Sequence, residues 1–375
     1  MFLMQNFIVV GAGILGASAG YHLAKAGANV TIVDRQDLGQ ATDAAAGIVC
    51  PWLSQRRNQA WYQLAKGGAR YYPQLIKDLE GCGETDTGYA QVGAISIYQD
   101  ERKLEKMAER AEKRRQDAPE IGEITQLSPD ETRSLFPLLA EGYGSVHVSG
   151  AARVNGRALR QSLINAAKKH GAACIHGEAE IVYKDNEVTG VKAGGETLSA
   201  DQVVVTAGAW AKELLKPLEI NFLVTSQKAQ IVHLNLPNTD TSQWPVVMPP
   251  NDQYLLAFGG GRIVAGATHE NDAGFDNRVT AGGLHEIFDK AFTIAPGLAD
   301  STVLETRVGF RPFTPGFLPV IGGLPNYKGI LVANGLGASG LTVGPYLGAE
   351  LAKLALGRPL EINIDYYDVA GAIGG

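Results

Sequence analysis

Gly11, Gly13 and Gly16, followed by a carboxylate at Asp34, are the first residues in this chain whose types and spacing could do chemistry. The spacing is G-x-G-x-x-G. Gly11 permits a tight turn, Gly13 lets the backbone approach a pyrophosphate, and Gly16 lets the following helix sit close to a sheet. A helix starting at Ile14 and Leu15 turns free N–H groups and the positive end of its dipole toward phosphates. Asp34 is placed to accept hydrogen bonds from ribose hydroxyls, and its charge disfavours a 2′-phosphate. The chemistry this points to is dinucleotide binding, with FAD and NAD both open and NADP disfavoured.

Such a group needs a βαβ unit to hold it. Residues 7–10 (Phe-Ile-Val-Val) read as a buried strand, and Ala17, Ala19, Leu23, Ala24 and Ala26 recur at helical intervals. Gly27 closes that helix, and a second apolar run over residues 30–33 ends in Asp34. The loop over residues 39–47 is made of small side chains that let the backbone lie flat against something else. Residues 56–80 have a helical pattern that Pro73 is expected to bend or interrupt. Residues 91–98 alternate as a strand. Residues 101–117 carry seven basic and five acidic residues beside a narrow apolar stripe, which reads as a solvated surface helix rather than a membrane-bound one. Ser128 with Glu131 three residues on marks a helix start.

From residue 153 the pattern returns to alternating helix and strand. A helix spans 157–169, strands follow near 173–175 and 179–183, a hairpin joins 188–193 to 197–199, and a buried strand runs from 201 into Thr206-Ala207-Gly208-Ala209-Trp210. Residues 220–310 hold strand-like runs punctuated by proline and glycine, with one helix at 281–295, and suggest an antiparallel sheet. The expected fold class is α/β. A Rossmann-like dinucleotide-binding domain, of the FAD-binding glutathione-reductase type if FAD is the cofactor, covers residues 1–85, 145–218 and 312–375. A second α+β domain, built on an antiparallel sheet, covers 86–144 and 219–311 and holds the substrate.

At 375 residues the chain is long enough for two domains, and its 45% apolar and 19% charged residues describe an ordinary globular protein. The net charge of −6 gives no general attraction to nucleic acid or anionic lipid. No apolar run is long enough to span a membrane, and Phe2-Leu3 is too short for the apolar region of a signal peptide. Cys50, Cys82 and Cys174 have no metal-ligand spacing and fit free thiols in a reducing cytoplasm. No metal is expected.

The C-terminal part separates the two cofactors. Residues 329–333 read as a strand, Asn334-Gly335-Leu336-Gly337-Ala338-Ser339-Gly340 as a glycine loop, and 341–356 as a helix. An NAD site needs one phosphate cradle. A flavin also has a ring edge that becomes negative on reduction, and a second helix N-terminus is suited to hold that charge. FAD is therefore favoured. Upstream, Gly309-Phe310-Arg311-Pro312 carries a guanidinium, a planar fork that pairs with carboxylate through two hydrogen bonds.

With these residues in this order, the chain resembles the D-amino-acid oxidase family of FAD-dependent amine oxidoreductases, which includes glycine oxidase, sarcosine oxidase and D-amino-acid dehydrogenase. The anchors are Gly11-x-Gly13-x-x-Gly16 with Asp34, Ala45-Ala46-Gly47-Ile48, residues 205–210, residues 309–312 and Gly337-Ala338-Ser339-Gly340-Leu341. They span essentially the whole chain. The resemblance implies FAD extended in the first domain, with adenosine by Asp34 and Arg35 and pyrophosphate over Gly13, Ile14 and Thr42. It places the flavin between Ala45, Ala46, Gly47 and Ile48 on one side and Gly337, Ala338, Ser339, Gly340, Leu341 and Thr342 at its pyrimidine end. Ala207, Gly208 and Trp210 would pass close to the cofactor. Arg311 matches the arginine that binds the substrate carboxylate, Tyr254 falls where relatives place a tyrosine over the substrate, and His269 follows a strand end toward the flavin.

Two departures stand out. Gly316 replaces an acid that many relatives carry after the Thr-Pro, and Gly309-Phe310 occupies the region where sarcosine oxidases place a flavin-linking cysteine, so FAD is expected to be noncovalent. The implied reaction is hydride transfer from the α-carbon of a small amino acid or secondary amine, giving an imino acid that hydrolyses to a keto acid and ammonia. Oxygen or another acceptor takes the electrons. Two alternatives remain at this point. The first is an oxidase of a modified tRNA base, which the acidic balance disfavours. The second is a noncatalytic flavin-binding subunit, which Arg311 disfavours.

Overall fold

A computed structural model describes residues 5–375, so Phe2 and Leu3 lie outside the described residues. The apolar run of the first strand, Asn6–Val10, is buried on both faces and sits inside a six-stranded sheet. The order is Val320–Gly323, Ile330–Asn334, Gln202–Val205, Asn6–Val10, Asn29–Asp34 and Ala173–His176. Every neighbouring pair is parallel except the first, which is antiparallel. The helix Ile14–Lys25 packs against the last helix, Gly340–Ala355, and against Gly156–Lys169. Two small residues set that closeness. A Cβ on Gly348 would fall on Ser18 and on the Leu15 carbonyl, and Ser18 Oγ donates to the carbonyl of Pro345 at 2.6 Å.

The helix Gln59–Gly81 packs on the last helix and runs through Pro73 as one element, so the expected interruption does not occur. Pro73 lies on the exposed side, while Trp61, Leu64, Leu75 and Leu79 are buried on the other, and that burial outweighs one lost helical hydrogen bond. The surface helix Glu101–Arg115 buries Leu104, Met107 and Ala111 and is capped by Asp100. Ser128 and Glu131 form the capping box. The hairpin is present and gains a third strand, Ala179–Lys184. Among the described residues, no helix is long and apolar enough to cross a membrane.

The second sheet has eight strands in the order Thr302–Phe313, Thr225–Asn235, Arg262–Gly266, Tyr254–Ala257, Val246–Met248, Ala94–Tyr98, Gly144–Val148 and Ile124–Leu127. It is antiparallel but for one parallel pair, Val246–Met248 with Ala94–Tyr98. Two strands cross the expected domain limits. Gly144–Val148 belongs to this larger sheet rather than to the segment starting at 145, because it hydrogen-bonds on both sides there. The limit at 311/312 falls inside the single strand Thr302–Phe313. The small-residue loop of 39–47 contains a short helix, Ala41–Ala44, and lies flat against that strand. Phe310 donates its backbone N–H to Gly39 at 2.9 Å, and a Cβ on Gly309 would press on Ala44.

Candidate active site

One continuous cavity runs from the end of strand Asn29–Asp34, past both glycine loops, to the edge of the larger sheet. At its first end the chain turns at Gly11 with φ +99°, where a side chain would meet the Thr206 carbonyl at 2.6 Å. Thr206 Oγ1 braces the turn by donating to the Gly11 carbonyl at 2.8 Å. At Gly13 a Cβ would touch only Thr42 Oγ1, at 3.5 Å, so that side of the turn is open. Ile14 donates its N–H to Thr42 Oγ1 at 2.9 Å, which ties the small-residue loop to the helix start.

Asp34 is more engaged than its place in the motif suggests. One oxygen accepts from the Ala12 N–H at 2.5 Å, and the other from the Gln36 N–H at 2.6 Å and from Gln40 Nε2 at 2.9 Å. The Arg35 guanidinium lines the cavity but is held among Asp37, Glu178 and Glu213 at 2.9, 3.0 and 3.3 Å.

Helix starts mark the cavity. Among the described residues, seven α-helices have seven or more residues, and five begin with a side chain that caps a backbone N–H: Asn58, Asp100, Ser128, Asn155 and Thr280. The two without such a cap, Ile14–Lys25 and Gly340–Ala355, also have no acidic residue in the first turn, and both start in the cavity wall. The positive ends of both helices, with the Ile14 N–H taken by Thr42 Oγ1, point to an anionic ligand. Around the second start, Thr342 Oγ1 donates to the Ile48 carbonyl at 2.8 Å and Asn334 Nδ2 to the Gly208 carbonyl at 2.9 Å.

Nearly all the cofactor residues read from the sequence line this cavity: Gly11, Gly13, Ile14, Leu15, Asp34, Arg35, Thr42, Ala45 to Ile48, Ala207, Gly208, Trp210, Gly337, Ala338, Gly340, Leu341 and Thr342. Ser339 does not. Its hydroxyl faces away and accepts from Trp61 Nε1 at 2.9 Å, anchoring the last helix to Gln59–Gly81. Asn334, at the end of the strand Ile330–Asn334, also lines the cavity, as do Gln40 and Asp252, an amide and an acid whose places in the sequence have no distinguishing pattern. Thr206 had a signal, its place between a buried strand and Ala-Gly-Ala.

At the far end the larger sheet presents Arg311, Tyr254 and His269 together. Arg311 donates through Nη1 to Gln227 Oε1 at 2.9 Å, and among the described residues no carboxylate forms an ion pair with it. Burial lowers the guanidinium from its ordinary value and raises the neighbouring Tyr254 phenol, whose rise the Arg311 charge offsets in part. His269 is pushed below the usual imidazole value by burial and then by Arg311, against a pull from Asp252, which stands 3.5 Å from its Nδ1. Asp252 is itself paired with Lys290 at 2.9 Å. A cationic fork and an imidazole held below its ordinary value thus line the same cavity as the two helix starts.

The sequence profile of the FAD dependent oxidoreductase family (DAO) matches residues 6–354. The chain belongs to this family. It is an FAD-dependent oxidoreductase, and the two uncapped helix starts and the open side of Gly13 suit a cofactor with a pyrophosphate and a second site of negative charge. The chain is 66% identical over 371 residues to an uncharacterized oxidoreductase, YurR, of Bacillus subtilis (strain 168), covering 99% of this chain and 100% of that protein. A glycine oxidase of Pseudomonas aeruginosa is 29% identical, over 99% of this chain and 100% of the relative. The crystal structure of iminodiacetate oxidase (IdaA) from Chelativorans sp. BNC1 superposes with a TM-score of 0.94 at 45% identity, over 96% of this chain and 98% of the other.

Proposed function

We propose that this DAO-family enzyme oxidises a small carboxylate-bearing amine, an amino acid or an N-substituted glycine, at the carbon next to nitrogen. The observation that carries this reading is Arg311, a buried-end guanidinium in the cavity with only a neutral hydrogen-bond partner. A charged fork left without a protein carboxylate is suited to take one from a ligand. Glycine oxidase and iminodiacetate oxidase among the relatives support the amine class.

FAD is proposed to bind noncovalently, its adenosine by Asp34 and Arg35, its pyrophosphate over Gly13, Ile14, Leu15 and Thr42, and its ring bounded by Ala45 to Ile48 and Gly337 to Thr342, with Ala207, Gly208 and Trp210 alongside. Bound FAD supplies the two-electron acceptor for the α-hydrogen. Arg311 holds the substrate carboxylate and so fixes which α-carbon bond points inward. Tyr254 walls the substrate and keeps water from the guanidinium. The neutral His269, its Nδ1 toward Asp252, is placed to accept at Nε2 the proton that a substrate ammonium loses before oxidation. Water then hydrolyses the imino product to a keto acid and ammonia or an amine, and oxygen or another acceptor takes the electrons.

An anaerobic absorbance scan tests this, with glycine, sarcosine, D-amino acids, proline and iminodiacetate added in turn. The expected result is bleaching of the flavin bands by at least one of them, and readmitted air separates oxidase from dehydrogenase. In R311Q, KM for that substrate should rise roughly 10- to 100-fold, the loss of a charge-assisted pair of about 1.5–3 kcal/mol. Failure of every carboxylate-bearing amine to bleach the flavin sinks the reading.

A further inference from the structure

Behind Arg311, outside the cavity lining, stands Gln227. The two residues face each other in register across the strands Thr225–Asn235 and Thr302–Phe313. Arginine carries only donors, so the amide must present its oxygen, and Gln227 Oε1 accepts from Arg311 Nη1 at 2.9 Å. The other end of the amide is also committed, Nε2 donating to Asn271 Oδ1 at 2.7 Å. Asn271 lies in the segment that follows His269, and that segment is pinned from below. The fully buried Lys228 places its Nζ 3.5 Å from Glu270 and 3.4 Å from Asp276, while its backbone exchanges hydrogen bonds with Glu270 at 2.9 Å. The amide is therefore held at its oxygen by Arg311 on the neighbouring strand and at its nitrogen by Asn271 in the turn after Glu270.

Its being an amide matters as much as its orientation. A neutral acceptor takes one N–H of the guanidinium and leaves the full positive charge unspent. A glutamate at the same position reaches equally far and forms an internal ion pair, which an incoming carboxylate must then displace. We infer that Gln227 is a positioning residue for Arg311, aiming the fork's remaining donors into the cavity and keeping its charge available, and that it thereby sets the enzyme's preference for carboxylate-bearing ligands. This rests on the reading of Arg311 given above.

The test uses acetate as a small carboxylate without an amine, titrated into the FAD-loaded enzyme and followed by visible difference absorbance. Wild type, Q227E, Q227L and R311Q are compared, with FAD content and melting temperature as folding controls. Q227E should weaken acetate binding by about tenfold or more, the scale of a charge-assisted pair. Q227L should weaken it less, and N271A, which frees the amide to turn, less still. With the substrate that bleaches the flavin, KM should rise in Q227E by more than kcat falls. If R311Q loses acetate while Q227E, or Q227L should Q227E not hold FAD, binds it as wild type does, Gln227 has no such role and Arg311 keeps its own. If R311Q binds acetate normally, or wild type does not bind it at all, the carboxylate reading of Arg311 fails and the role of Gln227 with it.

Discussion

His269 shows how one residue's ionisation follows from its neighbours. Burial and the Arg311 charge both oppose its protonation, so its value lies below the ordinary 6.5. A base must be unprotonated to act. Activity should therefore hold at neutral pH and fall only as the pH drops through the lowered value. We expect kcat/KM to show an acid limb below about pH 6.5 in wild type, and H269Q to lower the plateau while removing that limb. Profiles of the two proteins that keep the same acid limb would exclude His269 as the base. Arg35 makes the opposite case. The family resemblance implies an adenosine contact there, yet three carboxylates already surround its guanidinium, so its charge is largely spent on the protein.

At the level of elements, the glycine turn and the helix it opens serve two needs that substitution can separate. Gly16 is structural, since a Cβ there would collide with the Gly11 carbonyl and Thr206 Oγ1. Gly13 is open on the cavity side, with only an ordinary contact to Thr42. G16A should destabilise even the FAD-free protein, by about 1–3 kcal/mol for an overpacked helix–strand contact. G13A should leave the melting temperature of the FAD-free protein within a degree or two (about 0.5 kcal/mol). It should lower FAD content after dialysis, because its methyl group stands where the phosphates approach. Fluorescence titration of FAD into the stripped proteins and their melting curves give both readouts; equal loss of stability in the two variants would contradict this division.

For the whole molecule, acid stability is set by histidines kept neutral inside it. His233 is buried in the strand Thr225–Asn235, its Nδ1 accepting from Arg262 Nε at 3.0 Å and Nη2 at 2.8 Å, with Glu305 and Arg307 completing the cluster. Burial, then Arg307 and Arg262, push it down to about 3. His22, half-buried where the Tyr71 hydroxyl meets its Nε2 at 2.6 Å, falls to about 4. Between those values and 6.5 the unfolded chain binds protons that the folded chain refuses, so stability is full above about pH 6.5 and is lost as the pH falls. At pH 5, His233 alone accounts for about 2 kcal/mol, at about 1.4 kcal/mol per unit below its ordinary value. Denaturant melts at pH 7 and pH 5 should show that loss in wild type and a smaller one in H233N, whose side-chain oxygen can still accept from Arg262. An unchanged pH slope in H233N would place the acid sensitivity elsewhere.

Much of this was legible in the residues themselves. The first βαβ unit is determined locally: a β-branched run, glycines where the turn needs them, helical spacing of alanines and an acid after the second strand. The same holds for the last helix and its glycine loop, for the capping box at Ser128 and for the Arg311 segment, because each depends on neighbours a few positions away. Tertiary structure decided what depends on contacts far along the chain. Pro73 stays within its helix because a buried face outweighs one hydrogen bond, Ser339 turns to Trp61 rather than to the cavity, and Gly144–Val148 joins the larger sheet by pairing with strands on both sides. Arg311 is visible as an arginine in the sequence. That its charge is unspent, and that an amide opposite it in register keeps it so, follows only from which side chains two neighbouring strands of the larger sheet bring face to face.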